Sequence, residues 1–102
     1  MKYYDKRGKE ISRDRLFELL KDTEYRRVGA DRIDGWFIST VWLGIDDWNS
    51  DSKNPVIFET MVFPSEDDFT EDWVERAHSL EDALAAHQRG IDHARRKISG
   101  TQ

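Results

Sequence analysis

The sequence predicts an α+β domain: an antiparallel meander sheet of four to five strands with two helices packed on it, in the chain order β-α-β-β-β-β-α. Three observations predict this fold class. Two apolar runs rich in β-branched and aromatic residues, 36–45 and 56–63, flank a polar loop. The dipeptide Asp34-Gly35 separates the first run from another strand-like run, as in a two-residue hairpin. Two further segments have apolar residues at helical spacing.

The N-terminal part predicts a small hairpin and then a helix. Residues 2–5 and 9–11 are short strand-like runs, and Gly8 between them can take a positive φ in a tight turn. Ser12 is a favourable N-cap for the helix that follows. The leucines of this helix share one face, which we expect to pack into the core.

Four strand-like runs follow the first helix. Residues 25–33 carry several charges, as an edge strand does. Residues 36–45 have apolar side chains on both faces, which predicts a central strand that is covered above and below. The loop 46–55 leads to the strand 56–63, and residues 73–78 form a last short strand.

The C-terminal segment predicts a long helix that covers one face of the sheet. Ser79 is its N-cap, with Asp82 three residues later, and Gly100 is placed to end it. Apolar residues recur along one stripe of this helix. The 102 residues suit a single domain, and we assign residues 1–102 to it.

Composition excludes several classes of protein. There are no cysteines, so no disulfide framework or thiolate site can form. No apolar run reaches the roughly 18 residues of a membrane span, and the N-terminus lacks an apolar signal core. We therefore expect a soluble, intracellular protein without a membrane partner.

Charge is distributed unevenly along the chain. The net charge of −5 disfavours nucleic acid as the direct main partner. Residues 46–72 contain nine acidic residues and one lysine, whereas the rest of the chain has a small excess of basic residues. We call residues 46–72 the acidic segment. Such a segment favours a protein partner of complementary charge.

One tryptophan within the acidic segment and one directly after it indicate where that partner would bind. Trp48 stands in a polar loop beside acids, and Trp73 directly follows two acids. A large aromatic side chain with a charged rim is typical of a binding hot spot. The alternative for Trp48 is to fold back over the sheet as a lid. The candidate partner-binding residues are Asp46, Asp47, Trp48, Asp51, Asp67, Asp68 and Trp73.

The chemical motifs are weak. The spacing Asp47-x-Asn49-x-Asp51 opens like a calcium loop, but Ser52 replaces the required glycine, so we expect a solvated loop and no metal or cofactor. No nucleophile elbow or phosphate-binding glycine motif occurs, so the sequence assigns no catalytic residue and favours a protein that is not an enzyme.

Three titratable residues are candidates for lining a pocket between sheet and helix: Glu59, His78 and His87. Glu59 interrupts an apolar strand, so we expect it to be exposed or paired with an arginine. We interpret His87 as a partly buried core histidine with a nearby hydrogen-bond partner. A ligand- or metal-binding protein, or an enzyme with a histidine-containing pocket, is the alternative function.

Five segments carry a family resemblance: MKYYDKRGKEIS (1–12), EYRRV (24–28), STVWLGID (39–46), IFETMVF (57–63) and HSLEDAL with the following Ala86-His87 (78–87). In this order the sequence resembles a family of small, uncharacterised bacteriophage and prophage proteins, many from actinobacterial hosts. The family loop after STVWLG is usually rich in glycine and proline, but here it is DDWNSDSKNP, so a role for that loop does not transfer.

The resemblance implies a phage or prophage origin and a location in the bacterial cytoplasm, and it implies no reaction. Together with the acidic segment it favours a phage-type protein-interaction module that binds a host or phage protein. Inhibition of a host defence protein or of a nucleic-acid-handling protein is one form of this function. A virion or assembly component is a further alternative.

Overall fold

The computed structural model describes residues 1–46 and 54–100, which form a four-stranded sheet, a two-stranded sheet and three helices. None of the helices in these ranges is long and apolar enough to cross a membrane. In chain order the elements are β1 (Tyr3–Tyr4), β2 (Glu10–Ile11), α1 (Arg13–Leu20), α2 (Thr23–Arg26), β3 (Arg27–Ile33), β4 (Trp36–Trp42), β5 (Phe58–Phe63), β6 (Trp73–Ala77) and α3 (Leu80–Ser99).

The larger sheet is an antiparallel meander in the order β3-β4-β5-β6, as the sequence predicts. Its first hairpin turns at Asp34 and Gly35, whose φ angles are 47° and 87°. Both values are positive, as a two-residue turn that matches the twist of the strands requires. The turn pairs Ile33 with Trp36 and thereby sets the register of β3 on β4.

Helix α3 packs along one face of this sheet. Ser79 caps its start, because its Oγ accepts from the backbone N–H of Asp82 at 3.0 Å, and Gly100 ends it in the left-handed conformation with φ 77°. Gly90 lies against Ile38 and Val62, so the helix approaches the sheet closely there. The fully buried side chains of β4 and β5 face this helix.

Of the described helices, α3 packs on the four-stranded sheet and α1 does not, which corrects the prediction that two helices pack on it. Leu16 and Leu19 of α1 instead pack with Tyr4 and Trp42, where β4 ends. The hairpin β1-β2 holds α1 there, since the Tyr4 N–H donates to the Gly44 carbonyl at 2.9 Å. The hairpin is a separate two-stranded sheet and does not add a fifth strand.

Three other expectations are corrected along β3 and β4. The run 25–33 is strand only from Arg27, because Asp22 caps one helical turn, α2, by accepting from the Tyr25 N–H at 3.1 Å. Strand β4 ends at Trp42, since Gly44 takes φ 78°. The expectation that β4 is covered on both faces is also wrong. Helix α3 covers one face, and no described helix lies across the other.

Candidate functional site

The uncovered face of the sheet carries the side chains that point away from α3. The strand register places Ser39 beside Met61, and Met61 beside Val74, across β4, β5 and β6. These residues are half-buried, whereas the neighbours of Ser39 and Met61 on the α3 side are fully buried. We call this surface the open face. It comprises Arg27, Ala30, Arg32, Phe37, Ser39, Val41, Glu59, Met61, Phe63, Val74 and Arg76.

Aromatic rings occupy one end of the open face. Phe37 and Phe63 stack with their centroids 6.2 Å apart and their planes at 18°. Phe69, from the loop after β5, meets Phe63 edge-on at 6.0 Å and is 77% exposed. The Arg32 guanidinium lies 5.0 Å from the Phe37 ring and pairs with Glu66. This end therefore presents an exposed aromatic side chain beside a charged rim.

A concave pocket lies on the part of the open face that β3 and β4 form, and it extends from Arg32 and Phe37 to α2. Its volume is about 480 Å³, and we call it the arginine pocket. Apolar side chains and two hydroxyl residues line it together with three arginines, and none of the acidic residues within 1–46 and 54–100 lines it. The lining residues are Thr23, Arg26, Arg27, Ala30, Arg32, Phe37, Ser39 and Val41.

The cations of this pocket differ in their pairing. Arg32 has Glu66 as its partner. Arg26 and Arg27, in contrast, have no ion pair or side-chain hydrogen bond to any residue within 1–46 and 54–100. Lys6 adds a further cation nearby, since its Nζ donates to the Arg27 carbonyl at 3.3 Å. Burial lowers the pKa of Lys6.

Glu59 lies on the open face and is paired, which confirms one of the two expectations for it. Its Oε2 is 3.0 Å from the Arg76 Nε, and the two residues are direct neighbours across β5 and β6. The Glu59 side chain is 13% exposed, so the pair neutralises a carboxylate that is largely shielded from water.

His87 lies on the opposite side of the sheet and confirms the interpretation as a core histidine. Its Nε2 donates to the Asp31 carboxylate at 2.7 Å, so in the neutral ring Nδ1 accepts from the Thr40 hydroxyl, also at 2.7 Å. Thr60 continues the chain, 2.6 Å from Thr40. Gly29 makes room for the ring, because a Cβ there would lie 2.9 Å from it.

The order carboxylate, histidine, hydroxyl is also that of a hydrolytic triad. Thr40, however, has no exposed surface, so no substrate can reach its hydroxyl. The network instead joins α3 to three strands of the sheet and satisfies polar groups in the core. We therefore assign it a structural role.

The three pocket candidates do not come together. Glu59 is on the open face and His87 is beneath α3. His78 donates its Nδ1–H to the Pro55 carbonyl at 2.8 Å. Within residues 1–46 and 54–100 no group of three or more His, Asp or Glu residues is arranged to hold a metal ion.

The predicted partner-binding residues fall in separate places. Asp46 follows β4, whereas Asp67 and Asp68 are exposed in the loop at the other end of the sheet, roughly 20 Å away by the rise of β4. Trp73 is half-buried and stacks on His93 at 5.8 Å, on the α3 side. The remaining three, Asp47, Trp48 and Asp51, lie outside the described residues.

Apart from Glu59, the residues of the open face and of the arginine pocket are not among the candidate site residues that the sequence singles out. A signal for them exists in the pattern of β4, where Phe37, Ser39 and Val41 alternate with fully buried neighbours. The first helix, at eight residues, is also too short to cover four strands.

Comparisons of the chain with protein-family models, with curated protein sequences and with solved structures found no match.

Proposed function

We propose that the chain is a small phage-type protein-interaction module that binds a host or phage protein through the open face. The observation that carries the proposal is a sheet face with an apolar centre, open to water, in a chain of only 102 residues. Phenylalanine, methionine and arginine are enriched at protein interfaces, and Phe37, Met61 and Arg27 represent them here.

The arrangement of these residues suits a binding surface. Val41, Met61 and Val74 give an apolar centre, and the arginines lie around it. Burying an exposed apolar surface of this kind is favourable, so a partner protein that covers it gains free energy. Phe69 extends the same surface with an exposed ring, and a bound partner would bury this ring.

The acidic loop beside the open face gives the predicted acidic residues a place in this function. Asp67 and Asp68 are exposed near Phe69, at the rim where charge steers association. A partner with basic groups opposite this loop would bind at a rate that falls with salt. Modulation of a bacterial host protein is the form that we propose, in the cytoplasm, which is the location that the family resemblance implies.

The test is affinity capture from bacterial host lysate with a C-terminally tagged protein, at low and moderate salt, followed by mass spectrometry and rebinding of the purified partner. Met61→Glu places a charge in the centre of the open face. Leu84→Glu makes the same type of change on the outer side of α3, where Leu84 is 53% exposed, and serves as the matched control.

We expect one stoichiometric partner to be retained by the wild type and by Leu84→Glu and to be lost with Met61→Glu. Circular dichroism checks that both variants fold. Equal capture by the two variants, or no reproducible partner, would refute the proposal. Self-association that Met61→Glu abolishes would point instead to an assembly component.

A further inference from the structure

We propose that the arginine pocket receives a carboxylate-bearing segment of the partner protein. This inference rests on the proposed function and specifies the chemistry of the partner. It depends on three observations: the charge of the pocket, the apolar and hydroxyl residues that line it, and the position of acidic residues in the loop after β5.

Unpaired guanidinium groups are the first observation. The chain is acidic overall, and the arginines on or beside the other strands have carboxylate partners, as in Arg76–Glu59 and Arg89–Glu75. Arg26 and Arg27 have none among the described residues, although each has five N–H donors to satisfy. Arg26 and Arg27 both line the pocket, and guanidinium groups match carboxylates, which they can bind in a bidentate manner.

The second observation is the mixture of apolar and hydroxyl residues in the lining of the pocket. Ala30, Val41 and Phe37 line it with apolar side chains, and Ser39 and Thr23 add hydroxyl groups to the lining. A volume of about 480 Å³ falls within the range of ligand pockets. Such a pocket suits a segment in which an acidic side chain stands next to an apolar one. The acidic side chain would bind the arginines, and the apolar side chain would pack against the apolar lining.

The distribution of charge across the open face favours a protein segment over a nucleic acid. Cations are concentrated over β3, where Glu66 pairs with Arg32, whereas Asp67 and Asp68 are exposed in the loop that follows β5. A nucleic acid strand is negative along its whole length and would meet those acids as it crossed the sheet. A protein segment can place a carboxylate over β3 and a basic or apolar residue beside the loop.

The experiment is an NMR titration of the ¹⁵N-labelled full chain at low salt with two probes of similar charge, decaglutamate and the oligonucleotide dT10. The arginine Nε–H signals report on the guanidinium groups directly. The test variant is R26Q/R27Q. The matched control is R95Q/R96Q, an adjacent and exposed arginine pair near the end of α3.

We expect decaglutamate to shift the signals of Arg26 and Arg27 in the wild type. In R26Q/R27Q its apparent dissociation constant should rise about tenfold, as expected when a charge-assisted hydrogen bond is lost, and R95Q/R96Q should bind like the wild type. Tighter binding of dT10 at the same arginines would overturn the inference in favour of nucleic acid. The same affinity in both variants, or no shift at all, would also overturn it.

The two proposals fail separately. If Met61→Glu loses the captured partner while decaglutamate does not bind to the pocket, the interaction function stands and the carboxylate inference is rejected. If decaglutamate binds at Arg26 and Arg27 but no partner is captured, the pocket is an anion site and the interaction function is rejected.

Discussion

Gly90 is the position where the packing of α3 on the sheet can be tested most sharply. An alanine there would place its Cβ 3.1 Å from Ile38 Cγ2, 3.2 Å from Val62 Cγ2 and 3.3 Å from Thr60 Cγ2. All three residues are at most 1% exposed and belong to two adjacent strands. Their β-branched side chains are stiff at χ1, so none can move aside without disturbing its neighbours.

Two effects of Gly90→Ala oppose each other. Alanine stabilises a helix interior by about 1 kcal/mol relative to glycine, whereas overpacking a rigid core costs about 1–3 kcal/mol. Because three methyl groups must yield together, we expect the packing cost to exceed the helical gain. The free energy of unfolding should therefore fall by about 1 kcal/mol, measured by urea denaturation.

Ala85→Gly on the exposed side of α3 is the control for the helical term. It should cost about 1 kcal/mol through helix propensity alone. A Gly90→Ala protein as stable as the wild type, or more stable, would refute the close approach of the helix to the sheet.

Three further predictions concern the core, the turn between β3 and β4, and the response to acid. His87→Ala removes one of the two hydrogen-bond partners of the buried Thr40 hydroxyl and leaves a cavity, so urea denaturation should show a loss of about 2–4 kcal/mol. Gly35→Ala, at φ 87°, should lower the free energy of unfolding by about 1 kcal/mol in the same assay. The hydrogen bond from Arg89 lowers the pKa of Glu75 in the folded protein below its usual value of about 4.5. The ionised carboxylate therefore stabilises the folded state above pH 4.5, and this stabilisation is lost as the pH falls through the lowered pKa of the folded protein. Glu75→Gln should remove this part of the pH dependence of the free energy of unfolding, measured between pH 3 and 6. The difference from the wild type should be small because the ion pair is exposed to solvent.

Local chemistry was sufficient to predict much of the fold. The turn at Asp34-Gly35, the cap at Ser79 and the end at Gly100 depend on residues within a few positions of each other, and the structure confirms all three. The meander followed from four consecutive strands with no helix between them.

Non-local contacts explain what the sequence did not predict. The position of α1 depends on pairing between Tyr3 and Ile45, which are far apart in the chain, so helical spacing alone could not locate it. The open face exists because α1 is held at the end of the sheet. Likewise the partners of His87, Asp31 and Thr40, lie 56 and 47 residues away from it.

The acidic segment shows the same limit of sequence reasoning for the candidate site. Its acids are neighbours in the chain, but β5 carries Asp67 to the opposite end of the sheet from Asp46. Charge along the sequence therefore does not predict charge on one surface. Trp73 likewise follows two acids and yet packs with His93 on the side of α3.

The most direct test of the interaction function uses the two methionines of the chain. Met61 lies in the centre of the open face, and Met1 is 86% exposed at the N-terminus, far from it in the chain. The rates of their oxidation by dilute hydrogen peroxide can be measured by peptide mass spectrometry, with and without the captured partner. We predict that the partner slows the oxidation of Met61 and leaves that of Met1 unchanged. An unchanged rate at Met61 in the saturated complex would contradict binding at the open face.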